Sequence, residues 1–69
     1  MEMIAVKSSN VHSIGYENGT LYVRFLTGVL YEYYDVPADV YDEFLNASSK
    51  GRFVHYRLKG RYKYRLVER

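Results

Sequence analysis

The chain has 69 residues, nine tyrosines, three phenylalanines and no tryptophan or cysteine. One small domain of that length buries only about 60% of the surface its unfolded chain exposes, so large side chains must fill its core, and neither a disulfide framework nor a thiolate metal centre can staple it. The net charge of +2 hides a division: residues 1–49 carry two cations against seven carboxylates, whereas residues 50–69 carry eight cations against Glu68 alone, a cationic stretch that attracts phosphates or acidic surfaces.

No run approaches the roughly 18 apolar residues of a membrane span, and MEMIAVKSSN lacks the basic start and apolar stretch of a secretory signal. The expected class is a cytoplasmic protein without a membrane partner. In chain order, Asn18-Gly19 marks a tight hairpin turn, because both residues tolerate positive φ, and it predicts antiparallel strands over 11–17 and 20–26. Leu21, Val23 and Phe25 alternate there with Tyr22, Arg24 and Leu26, the period of a strand with one buried face. Thr27-Gly28 repeats the turn signal and leads to a third strand over about 29–34, with Val29, Tyr31 and Tyr33 on one face.

Val36-Pro37 ends that strand, since proline brings no amide hydrogen and suits a helix start. ADVYDEFLNA then predicts a helix, with Val40, Phe44 and Ala47 on one stripe and Asp39, Asp42 and Glu43 near the positive end of its dipole. A second helix is expected over about 51–58, capped by Ser49, with Phe53, Val54 and Leu58 on one side and a stop near Gly60. RYKYRLVE alternates again and predicts the last strand, with Arg61, Lys63 and Arg65 on one face. The expected fold is α+β in one domain over 1–69: a small antiparallel sheet of three consecutive strands plus a C-terminal strand, with two short helices between strands 3 and 4.

The strongest chemical feature is KGRFVHYRLKGRYKYRLVER. Single-stranded RNA is held by cations tracking phosphates while splayed bases stack on aromatic faces, and this stretch supplies both kinds of group. The expected binding residues are Lys50, Arg52, Arg57, Lys59, Arg61, Lys63 and Arg65 for phosphates, with Tyr22 and Tyr34 for bases. Tyr31 and Tyr33 are assigned to the core, an exposed stacking platform being the other reading. SSKGR, residues 48–52, reads as a helix break in preference to a phosphate seat, because it lacks the glycines and the Lys-Ser/Thr pair of a phosphate-binding loop. His12 and His55 have no metal-ligand spacing, and no nucleophile context surrounds Ser8-Ser9, so no catalytic residue, metal or cofactor is expected.

SSNVHSIGYE (8–17), Tyr31-Glu32-Tyr33, VPADVYDEFLNASSKG (36–51) and RLKGRYKYRL (57–66) together resemble the KTSC domain. This is a short module found alone in bacterial proteins and at the C terminus of some lysyl-tRNA synthetases. Family members usually carry an aromatic followed by Phe-Asn after the glycine of the second helix and Tyr-Pro-Tyr near the end. Here Phe53-Val54-His55 and Tyr62-Lys63-Tyr64 stand in those places. The resemblance implies a non-catalytic module, with RNA suggested by the synthetase linkage. The alternative expectation is a protein-interaction module whose basic face docks an acidic partner.

Overall fold

The computed structural model describes residues 2–69. Its strands are β1 (Ile4–Ala5), β2 (Val11–Glu17), β3 (Thr20–Phe25), β4 (Leu30–Tyr33) and β5 (Tyr64–Glu68). They form one antiparallel sheet in the order β1-β2-β3-β4-β5. Between β4 and β5 the chain forms helix α1 (Ala38–Asn46), then α2 (Lys50–Phe53), which widens into a π-helical turn over Val54–Leu58. The widening is direct: the Lys59 amide reaches back five residues to the Val54 carbonyl at 2.8 Å.

The expected four-stranded sheet is therefore corrected to five strands, and the helices follow the fourth strand instead of lying between strands 3 and 4. Ile4–Ala5 is the added edge strand. Two residues cannot display a period, and what makes them a strand is their pairing with Ile14 and Ser13 of β2, continued by the Val6 amide on the His12 carbonyl at 3.1 Å. The β2–β3 hairpin follows its turn chemistry, with Asn18 at φ 51° and Gly19 at φ 81°.

The start of the last strand is also displaced. Leu58 accepts hydrogen bonds from the Arg61 and Tyr62 amides, at 3.1 and 3.3 Å, so the chain closes a turn before it can extend, and β5 begins only at Tyr64. Arg61 lies in that turn, and the even row of Arg61, Lys63 and Arg65 along one strand does not form.

Alternation in the sheet and helical spacing meet at a single apolar layer. Leu21, Val23 and Ile14 are completely buried from the sheet, and Phe44 and Leu58 from the helices, while the Phe44 and Phe53 rings stack at 4.9 Å. Tyr16 stacks on Tyr41 at 4.9 Å and donates its hydroxyl to the Val36 carbonyl, fastening the approach to α1 onto β2. Side chains of opposite parity, Tyr22, Arg24, Glu32 and Arg65, project from the sheet face that no helix covers.

Tyr33 is in the core, 5% exposed, whereas Tyr31 beside it is half-buried. The Tyr33 ring lies 6.3 Å from that of Tyr31 and 5.9 Å from that of Tyr64. Truncation at Tyr33 removes a large buried aromatic, so Tyr33→Ala should cost about 3–5 kcal/mol in a denaturant melt, against less than about 1 kcal/mol for an exposed tyrosine.

Burial, reinforced by the neighbouring Tyr31 and Tyr64 phenols, pushes the Tyr33 hydroxyl up from 10.0 to about 12. The unfolded chain releases that proton first as pH rises, so the contribution is whole below pH 10 and is lost through about pH 12. Thermal midpoints should fall over that interval, and Tyr33→Phe, which keeps the ring and removes the titrating group, should make the fall shallower.

Candidate functional site

The fold distributes the expected binding residues over two surfaces with the core between them. On the uncovered sheet face, Tyr22, Glu32 and Arg65 form one row across β3, β4 and β5. Tyr34 and Lys63 extend it, the Tyr34 amide donating to the Lys63 carbonyl at 2.8 Å. The second set, Lys50, Arg52, Arg57, Lys59 and Arg61, stands on α2, the π-helical turn and the loop after it, in the layer packed against the opposite face of the sheet. Arg61 and Lys63 line one hollow with Tyr62 and Tyr64, where the two sets meet.

Carboxylates occupy much of the sheet-face set. The Glu32 side chain, 17% exposed, accepts the Tyr34 hydroxyl at 2.7 Å and lies 3.6 Å from the Arg65 guanidinium. That hydrogen bond to a carboxylate, which a phenolate could not make, raises the Tyr34 hydroxyl above its usual range. Arg24 on the same face donates to Glu68 at 2.8 Å and to the Gly28 carbonyl at 3.0 Å. Tyr22 is half-buried and Tyr34 is tied to Glu32, so both offer less open ring surface than their positions in the sequence imply.

The helical set is arranged differently. Ser49 caps α2, its hydroxyl accepting the Arg52 amide at 3.2 Å, as the sequence predicts. Lys50 is folded back, its ammonium donating to the Ala47 carbonyl at 2.6 Å, where it satisfies the C-terminal end of α1. With that amide and that ammonium engaged, the Ser48–Arg52 segment is built as a helix junction. Gly51 allows the close approach, since a Cβ there would lie 3.0 Å from the Asn10 side-chain nitrogen.

Beyond the junction, Phe53, Val54 and Leu58 point into the core, and the same turn directs Tyr56 outward, 65% exposed. An open hollow of about 320 Å³ is lined by Ser49, Arg52, Phe53, Tyr56 and Arg57, among others. Arg61 is tied to the same turn, its Nε donating to the Tyr56 carbonyl at 3.3 Å. Arg52 and Arg57 thus line one hollow with the exposed Tyr56 phenol, and Arg61 is held to the same residue through its backbone carbonyl. Of the three, only Arg57 is ion-paired among the described residues, with Glu43 at 3.0 Å, and it also lies over the Phe53 ring at 5.1 Å.

Tyr56 was not among the expected stacking residues, although the inward assignment of Phe53, Val54 and Leu58 already implies its exposure. Tyr64, 57% exposed, is a second such ring and packs on Tyr31 at 5.6 Å. The two histidines stand on different elements: His12 on β2, its Nδ1 3.0 Å from the Ser13 hydroxyl, and His55 against the Tyr56 ring. Among the described residues no helix is long and apolar enough to cross a membrane. Because the Ser49 hydroxyl caps the first turn of α2, Ser49→Ala should lower stability by about 1 kcal/mol, and Ser49→Asp should restore it, as read by thermal melts.

The family model described as the KTSC domain matches residues 7–62. The crystal structure of a KTSC domain protein from Yersinia pestis superposes with a TM-score of 0.89 at 36% identity, covering 96% of both chains. A protein of Tsukamurella paurometabola is 41% identical over 63 residues, 88% of this chain and 94% of its own. A lysine–tRNA ligase of Trichormus variabilis is 47% identical over 45 residues, 65% of this chain but only 8% of the ligase.

Proposed function

The chain belongs to the KTSC domain family, and we propose that it is a non-catalytic module that binds single-stranded or structured RNA through the surface centred on Tyr56. The observation that carries this reading is the exposed Tyr56 ring, which shares a hollow with Arg52 and Arg57 and whose backbone carbonyl holds Arg61. Lys59, also exposed, adds a fourth cation on the same turn. An exposed aromatic face with guanidinium groups nearby suits a nucleotide: the base stacks on the phenol, and the fork-shaped cations meet the flanking phosphates. Two lysine–tRNA ligases, proteins whose name states their action on tRNA, carry a segment like this one, which favours RNA among polyanions.

On this reading the phosphate contacts are made by Arg52, Arg57, Lys59 and Arg61, with Lys50 raising the local potential while it holds the helix junction. Tyr22, Tyr34 and Arg65 contribute at most a peripheral contact, since Glu32 engages Tyr34 and Arg65, and Lys63 lies beside Arg61 at the edge of the surface. Binding should depend steeply on salt and only weakly on sequence.

Fluorescence anisotropy with labelled single-stranded RNA and with tRNA at low salt tests the proposal. Tyr56→Ala should weaken binding by the value of one lost stack, about 1–3 kcal/mol or roughly 5- to 150-fold. Arg52→Gln with Arg61→Gln should weaken it across all sequences and reduce the salt slope by about 0.7 for each single-strand phosphate contact removed. A folded Tyr56→Ala protein that binds RNA as the parent does would overturn the stacking role. Tight binding of an acidic protein with none of RNA would favour the protein-partner reading instead.

A further inference from the structure

The sheet leaves one substantial edge open. β5 is the last strand in the order, five residues long, and only β4 pairs with it, so every second amide and carbonyl along its outer side lacks a ladder partner among the described residues. The opposite edge, β1, is two residues long and offers almost no ladder. Two of the exposed large apolar side chains, Tyr64 and Val67, are on β5 itself.

The charge pattern of this edge is self-complementary. Arg65-Leu66-Val67-Glu68 reads as cation, two apolar residues, anion, so laying the strand antiparallel against itself sets Arg65 opposite Glu68 twice. In a regular strand, residues three apart face opposite sides of the sheet, and that match would fail. Here the register against β4 shifts between Leu30 and Tyr31, so that Leu66 pairs with Tyr31 but Glu68 with Leu30. The extra residue brings Arg65 and Glu68 to the same uncovered face, where Arg65 approaches Glu32 and Glu68 meets Arg24.

We propose that β5 is a homodimer edge: two copies pair antiparallel through β5 about a two-fold axis passing between Leu66 and Val67 and normal to the sheet. Arg65 of each copy then faces Glu68 of the other, Leu66 lies beside Val67, and Tyr64 stands opposite Arg69. The contact is isologous and closes on itself, so it yields a dimer and not a fibre. A single strand edge buries less than the roughly 800 Å² per partner of a standard interface, and the bulge interrupts the ladder, so association is weak and concentration-dependent. The inference uses residues separate from the Tyr56 surface and does not depend on RNA binding.

Sedimentation equilibrium tests it. The wild-type mass should rise from 8.2 kDa toward twice that value as concentration approaches about 1 mM. Arg65→Glu and Glu68→Arg should each stay monomeric, because each sets like charges against one another, whereas an equimolar mixture of the two should dimerise again, since every cross-copy pair is then opposite in sign. Rescue by mixing separates a contact between copies from loss of the internal pairs with Glu32 and Arg24, which mixing cannot repair.

Should a reversal disturb the fold, Arg65→Gln and Glu68→Gln are read instead, each expected to weaken the wild-type dimer. Isotope-filtered cross-peaks between the Leu66 and Val67 methyls of differently labelled copies should accompany association. A wild-type mass of 8.2 kDa throughout, a mixture that stays monomeric, or a dimer unaffected by the glutamine variants would each overturn the proposal.

Discussion

Every other feature of this domain follows from the need to cover one face of a small sheet with two short helices. Phe44 stacked on Phe53, with Leu58 beside them and Leu21, Val23 and Tyr33 in the same cluster, forms that contact, and with no cysteine in the chain no disulfide supplements it. At roughly 1.5–3 kcal/mol for each large apolar side chain taken out of water, this layer is the principal term opposing the chain's conformational entropy. α2, four residues long before its π-helical turn, is too short to persist alone and exists because Phe53, Val54 and Leu58 are held there.

That constraint also sorts the charges. Once Phe53, Val54 and Leu58 turn inward, Arg52, Tyr56, Arg57 and Lys59 are left on the outside of the same turn, and Arg61 is drawn beside them by the Leu58-centred closure. Once Leu21 and Tyr33 face the helices, Tyr22, Glu32 and Arg65 must face away. A charge division that is linear in the sequence thus becomes a sheet-face set and a helical set, which meet at the hollow lined by Arg61 and Lys63. Their difference lies in the carboxylates: Glu32 and Glu68 sit among the sheet-face cations, while Glu43 reaches only Arg57 in the helical set. Family membership agrees with the fold throughout, and the ligase likeness, confined to a small part of those proteins, bears on function only through the proposal above.

How far the structure could be read from the residues depended on whether the signal was local. Asn18-Gly19, the alternation over 20–26, Pro37 before α1 and Ser49 before α2 each act through their own backbone, and each appears where its chemistry places it. β1 was missed because a two-residue strand owes its existence to partners eight and ten positions away. The late start of β5 has a similar cause, for two hydrogen bonds to Leu58 outweigh an alternation that continues unbroken through Arg61. At the candidate site, the cationic residues were legible but their grouping was not, since that grouping depends on which sheet face the helices cover. Tyr56 was the avoidable omission: the spacing that buries Phe53 and Leu58 is enough to expose it.

The central claim, that the polyanion-binding surface is the Tyr56 turn and not the open sheet, is tested most directly by mapping amide resonances during a low-salt titration with single-stranded RNA. The account predicts shifts concentrated over residues 52–61, with Tyr22, Tyr34 and Arg65 little moved. Shifts confined to β3, β4 and β5, or none anywhere on the domain, would contradict it.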